Sequence, residues 1–292
     1  MNRRDFAKTL AGAATGTVFL PHVSVAQTVL PFRLSVMLWT VFRELPFDQR
    51  LEKVAQAGYK SVELVGEFSN WSNDDFTRFN AKKHALGMTF DATSGVRTGV
   101  ADPSAGDKLL DDIKTMLATV DRLECPSIIL LSGNKIPGVS PDTQHEACIN
   151  NLGRAAELAK KQNVSLLLEN IDPEENPKYY LTSVAEGFDI IRKVGNPNVK
   201  FLYDFYHEQI AEGNLIEKLQ KNIDLLGVVH VADVPGRHDP GTGEINYSNI
   251  YRQLVELNFT GTLAMEFLPT GEPVAALRSA REMVLRAEGS KQ

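Results

Sequence analysis

Residues 226–247 read LGVVHVADVPGRHDPGTGEINY, and their opening decides the fold. Leu226-Gly-Val-Val is a short apolar run, the pattern of a strand buried on both faces, and it leads into His230. The segment that follows is polar and holds Asp233, Arg237, His238, Asp239 and Glu244. Pro235-Gly236, Asp239-Pro240 and Gly241-Thr-Gly243 punctuate it as a loop with a defined path. Ionisable groups crowded just past a buried strand point to a site at the carboxyl edge of a parallel sheet, where α/β folds keep their chemistry.

Three more apolar runs end the same way. Ser165-Leu-Leu-Leu ends in Glu169, Val199-Lys-Phe-Leu-Tyr in Asp204 with His207 three residues on, and Thr262-Leu-Ala-Met in Glu266. Further strands are predicted at Arg33–Leu38, Ser61–Leu64, Met88–Ala92 and Ser127–Leu131, and a helical pattern follows each of the eight. After strand six the chain runs through Asp204 to Gly213, and Asn214 is placed to cap the next helix. Eight strand–helix units in roughly 265 residues match a (β/α)8 TIM barrel. The first loop, Trp39-Thr-Val-Phe-Arg-Glu-Leu-Pro, has no glycine, which disfavours an open dinucleotide-binding sheet.

The 292 residues are 43% hydrophobic and 23% charged with a formal net charge of -6. The acidic balance and the lack of a basic run exclude nucleic acid and anionic membranes as expected partners. Asn2-Arg3-Arg4-Asp5-Phe6-Ala7-Lys8, the apolar Thr9–Leu20 and the small residues Ser24-Val25-Ala26 have the form of a twin-arginine export signal. Residues 1–26 are therefore expected to be the signal and 27–292 a single barrel domain. That places the mature protein in the periplasm without stable membrane association. Cys125 and Cys148 read as plain core thiols rather than a disulfide.

A barrel strand presents its last residue to the mouth. Glu169, Asp204, His230 and Glu266 end four consecutive strands and so converge on half the rim. Carboxylate oxygens with one imidazole suit a divalent cation, Mg²⁺ or Mn²⁺. Two glutamates beside such an ion also suit proton transfer: Glu169 and Glu266 can move a proton between carbons of an α-hydroxycarbonyl compound through an enediolate. Return of the proton to the neighbouring carbon gives aldose–ketose isomerisation, and return to the opposite face gives epimerisation. Arg237 and His207 are candidate substrate clamps, with His238 a weaker one. Glu63 is read as holding Arg237 or a loop, and Trp39, Phe42 and Trp71 as walls of a small pocket.

The segments LLLEN (166–170), YDFYHEQIAEGNL (203–215), HVADVPGRHDPGTGEINY (230–247) and GTLAMEF (261–267) resemble the hydroxypyruvate isomerase family. That family belongs to the xylose isomerase-like barrels, which also include ketose 3-epimerases. The resemblance implies a divalent metal, catalytic glutamates at Glu169 and Glu266 that also ligate it, a metal ligand at Asp204 and substrate contacts at His207 and Arg237. It further implies conversion of hydroxypyruvate to tartronate semialdehyde, and it leaves room for a homo-oligomer. Two positions depart from the pattern. His230 stands where these isomerases carry Gln and the epimerases His, and Pro269-Thr270-Gly271 stands where they carry a Pro-Arg-Gly turn. A periplasmic ketose or keto-sugar epimerase or isomerase, or a sugar-binding barrel without catalysis, is the alternative expectation.

Overall fold

The computed structural model describes residues 30–289, so the proposed signal, residues 1–26, lies outside the described residues. Eight strands close into a parallel barrel in chain order. They are β1 (Arg33–Met37), β2 (Ser61–Val65), β3 (Thr89–Ser94), β4 (Ser127–Leu131), β5 (Ser165–Glu169), β6 (Val199–Asp204), β7 (Leu226–Val231) and β8 (Thr262–Met265). Around them lie α1 (Phe47–Gln56), α2 (Asn73–Ala85), α3 (Gly106–Leu123), α4 (Pro141–Ala159), α5 (Val184–Val194), α6 (Phe205–Ala211), α7 (Leu215–Asn222), α8 (Tyr247–Glu256) and α9 (Pro273–Gly289). Among the described residues no helix is long and apolar enough to cross a membrane.

Apolar side chains on both faces of the strands explain the continuous hydrophobic runs. Met37, Ala92, Ile129, Leu167, Leu202 and Val228 fill the bore, while Val62, Phe90, Leu166, Phe201 and Leu263 face the helices in a separate, larger core. Cys125 and Cys148 are free and buried. Helix starts follow their caps. Ser72 and Asp75 form a reciprocal capping box at α2, Ser140 and Ser183 accept backbone N–H groups at α4 and α5, and Asn246 does so at α8.

One local expectation is corrected, at Asn214, and the segment before it adds a helix. The segment after β6 is a helix, α6, capped by Asp204 itself, whose Oδ1 accepts the N–H groups of Tyr206 (2.7 Å) and His207 (3.3 Å). Asn214 precedes α7 in the left-handed region (φ 56°) and caps no backbone group; its amide instead donates to Glu217 Oε2.

Helix-to-barrel packing is tightest where α5 meets β6. A Cβ added at Gly187 would lie 2.2 Å from a ring carbon of Phe201, and that ring also packs on Phe188 with centroids 4.8 Å apart. Gly187→Ala is therefore expected to destabilise the fold by about 1–3 kcal/mol, a fall of roughly 2–10 °C in Tm. An unchanged thermal melt would mean that α5 can move away without cost.

Candidate active site

The ends of β5 to β8 bring Glu169, Asp204, His230 and Glu266 together, all buried, with one ligand atom from each lying within 4.8 Å of the others. His230 is positioned from the opposite side of the bore. Its Nε2 lies 2.8 Å from Oε2 of the fully buried Glu63 on β2. Glu63 therefore holds His230, not Arg237 as expected from the sequence. The other ring nitrogen, Nδ1, lies 2.8 Å from Glu266 Oε2 and 3.7 Å from Glu169 Oε1, yet it is buried with no aligned hydrogen bond.

Those observations fit a divalent ion. Ligand atoms on one ion, at bonds of about 2.0–2.4 Å, are at most about 4–5 Å apart. A histidine ligand whose second nitrogen is engaged by a carboxylate is the usual supporting arrangement. The buried acidic and histidine cluster could hold a metal ion.

Arg237 reaches the same cluster from the β7–α8 loop. Its Nη2 donates to Glu266 Oε2 (2.7 Å) and Asp204 Oδ2 (3.2 Å), and its Nη1 to Glu175 Oε1 (3.1 Å). The guanidinium also stands over the rings of Tyr206 and Trp39. Its backbone is left-handed (φ 56°) beside Gly236 (φ 88°), which costs a non-glycine residue roughly 1–2 kcal/mol. Asp233 ties that loop together. Fully buried, it accepts backbone N–H groups from Val234 and Ile245 on Oδ1 (both 3.0 Å) and from Gly241 (2.8 Å) and Gly243 (2.9 Å) on Oδ2.

His207, the first-turn residue of α6 that faces the cluster, gives its Nδ1 to Asp172 Oδ2 at 2.6 Å, while Nε2 lies 3.5 Å from Asp204 Oδ2. Asp172 Oδ1 in turn accepts the N–H groups of Glu174 and Glu175, each at 2.9 Å. This turn sets Glu175 against Arg237. Trp39, in the 3-10 turn after β1, donates its indole N–H to Glu266 Oε1 at 2.7 Å. Asp172 and Glu175 are not among the residues expected from the sequence; the Asp172-Pro173 turn was the available signal. Phe42 and Trp71 do not line the cavity. Phe42 is buried, Trp71 packs among Phe47, Phe68, Phe76 and Phe79, and the His238 ring turns to the Leu268 carbonyl outside it.

The electrostatics separate the two glutamates. Burial, the largest influence, pushes Glu169 up to about 7, against the pull of His230 and with the help of Glu266. Burial acts in the same direction on Glu266, but Arg237 and then His230 outweigh it and hold that carboxyl well below the usual range. Burial opposes charge on His230, yet Glu266 and Glu63 override it and hold the ring well above its ordinary value. A cation entering the cluster must displace that proton, so its binding is coupled to pH.

For His207, burial works against the charge, but Asp204 and the bond to Asp172 hold its pKa up at about 9. A histidine raised on folding stabilises fully below its unfolded value of 6.5 and loses that contribution as pH rises through about 9. The metal-free protein is expected to lose at most about 3 kcal/mol across this window. Melts of wild type and His207→Gln in EDTA check it: a slope of equal size in the variant would assign the loss to another group.

Comparisons with known proteins agree with the geometry. A family model described as xylose isomerase-like TIM barrel matches residues 51–287. The chain is 30% identical over 251 residues to a 2-oxo-tetronate isomerase of Haemophilus influenzae, covering 84% of this chain and 96% of that one. It is also 30% identical to the hydroxypyruvate isomerase of Escherichia coli, covering 84% and 97%. Among solved structures, a Brucella melitensis protein described as an AP endonuclease, family 2, superposes with a TM-score of 0.77 at 25% identity, covering 84% of this chain and 96% of that one.

Proposed function

We propose that this chain, which belongs to the xylose isomerase-like TIM-barrel family and is an isomerase, moves a proton between adjacent carbons of a small α-hydroxycarbonyl compound, with Glu266 and Glu169 as its acid–base pair. The observation that carries this reading is the convergence of two buried carboxyls, Glu169 and Glu266, with Asp204 and His230 in one cluster at the barrel mouth.

Glu266, held ionised by the Arg237 guanidinium, takes the proton from the carbon bearing the hydroxyl. The electron pair of that C–H bond becomes the double bond of an enediolate. Glu169 delivers a proton to the former carbonyl carbon while the hydroxyl proton passes from its oxygen to the former carbonyl oxygen, so that the first carbon becomes the carbonyl. His207, held protonated, and Arg237 line the cavity and are placed to hydrogen-bond substrate oxygens, fixing which carbon faces which glutamate. A divalent ion, Mg²⁺ or Mn²⁺ by donor type, held by Glu169, Asp204, His230 and Glu266, would supply Lewis acidity toward those oxygens.

The relatives' substrates, hydroxypyruvate and 2-oxo-tetronate, are the first to test. The test is incubation of the protein with Mn²⁺ and each compound, alongside small ketoses, in D₂O. Deuterium next to the carbonyl with a displaced carbonyl in the product supports isomerisation. Deuterium with an inverted centre supports the epimerase alternative, and no exchange with any compound removes the proton-transfer reading in favour of a binding barrel. Residues 1–26 add the proposal that this chemistry takes place in the periplasm, which fractionation of cells carrying wild type and an Arg3→Lys/Arg4→Lys variant tests.

A further inference from the structure

His207 and Arg237 reach the cavity from different segments, and one carboxylate outside it is linked to both. Asp172, fully buried in the β5–α5 loop, divides its two oxygens. Oδ1 accepts the N–H groups of Glu174 and Glu175, each at 2.9 Å, and closes the turn whose Glu175 accepts from Arg237 Nη1 at 3.1 Å. Oδ2 lies 2.6 Å from Nδ1 of His207. An aspartate needs only one oxygen to close a turn on the backbone ahead of it. The second is spent on a ring 35 residues further along the chain.

That second bond decides how the ring lies. Oδ1 accepts two N–H groups at once, the behaviour of an ionised carboxylate, and an ionised oxygen this close to a ring nitrogen requires the hydrogen to sit on that nitrogen. The backbone N–H of Asp172 is the weaker neighbour of Nδ1, at 3.4 Å. With Nδ1 committed, Nε2 is turned the other way, 3.4 Å from Arg237 Nη1, and both residues line the cavity. A half-turn of an unanchored imidazole would exchange its two nitrogens. A carboxylate on one of them fixes the ring's orientation and the placement of its hydrogen.

We infer that Asp172 is a positioning residue of the site: it fixes His207 with Nε2 toward the substrate's oxygens and acts on substrate only through that ring. This rests on the proton-transfer reading above, in which His207 meets substrate oxygens. Asp172→Asn isolates the ring. Its amide oxygen can still accept from Glu174 and Glu175, while its NH₂ meets the Nδ1 hydrogen, so the ring must turn or give that hydrogen up. The test measures kcat/KM for deuterium exchange of hydroxypyruvate, 2-oxo-tetronate and dihydroxyacetone. It compares wild type, Asp172→Asn, His207→Gln and the double variant, each as the Mg²⁺-supplied full chain. Two-bond ¹H–¹⁵N NMR spectra of the same proteins show which ring nitrogen carries hydrogen, and the signals lost in His207→Gln identify His207.

Asp172→Asn is expected to lower kcat/KM about tenfold or more, the scale of one misdirected hydrogen bond from a charged group. In the His207→Gln background the same substitution should change kcat/KM by less than about twofold, because a residue that acts through the ring has nothing left to act on. The wild-type spectrum should show hydrogen on Nδ1 of His207, and Asp172→Asn should alter that signal. Equal falls in both backgrounds would assign Asp172 to packing alone and overturn the inference while the acid–base pair stands. So would a kcat/KM for Asp172→Asn within about twofold of wild type. A wild-type Nδ1 without hydrogen overturns it too, and that spectrum decides the matter even where Asp172→Asn does not fold. Wild-type silence with all three compounds overturns the proton-transfer reading and this inference together.

Discussion

Glu169→Gln is expected to slow deuterium exchange about 10²–10⁴-fold, the range that one positioned proton-transfer group contributes. The substitution keeps the volume of a nearly buried side chain and removes the group burial has poised near neutrality. It should therefore leave the fold intact and substrate binding measurable by calorimetry, and that combination separates a transfer role from a packing one. Retained exchange within a few-fold of wild type would sink the assignment of Glu169 as acid, and a parallel loss of binding would point to a ligand role alone.

Asp233→Ala is expected to be the most disruptive single change in the loop that carries Arg237. Four backbone N–H groups converge on this one fully buried carboxylate, and alanine would leave them without an acceptor in an enclosed setting. Losing such a charged acceptor costs about 3–5 kcal/mol, or roughly 6–20 °C in Tm at this chain length. The left-handed backbone at Arg237 is maintained only by its surroundings, so activity should fall further than stability. Asp233→Asn, which keeps the shape but can accept on one atom only, should fall in between. A melt within about 2 °C of wild type for Asp233→Ala would show that the loop has another anchor.

The parts of the molecule legible in the sequence share a physical origin. Strands such as Ser127–Leu131, Ser165–Glu169 and Leu226–Val231 announce themselves because burial on both faces demands an unbroken apolar run. The four cluster residues were legible because a strand's last residue has only one place to go in a closed barrel. What crosses the bore was not. Glu63 and His230 are 167 positions apart, and no local pattern tells a buried carboxylate which ring it will meet. Glu175 is set by the Asp172 turn and the Trp39 N–H by a one-turn 3-10 helix, features whose aim depends on the neighbouring loops. α6 was obscured because Asp204 ends a strand and caps a helix at once, so the chain changes structure with no residue between.

That double duty has a consequence for spectroscopy. Asp204 spends Oδ1 on the amides of Tyr206 and His207 and turns Oδ2 toward Arg237 and the cluster. Charge drawn to one oxygen of a carboxylate is withdrawn from the other. Whatever binds at the rim is therefore felt by two amide protons in the first turn of a helix. Their chemical shifts and solvent-exchange rates form a built-in gauge of occupancy, readable with no substrate turning over.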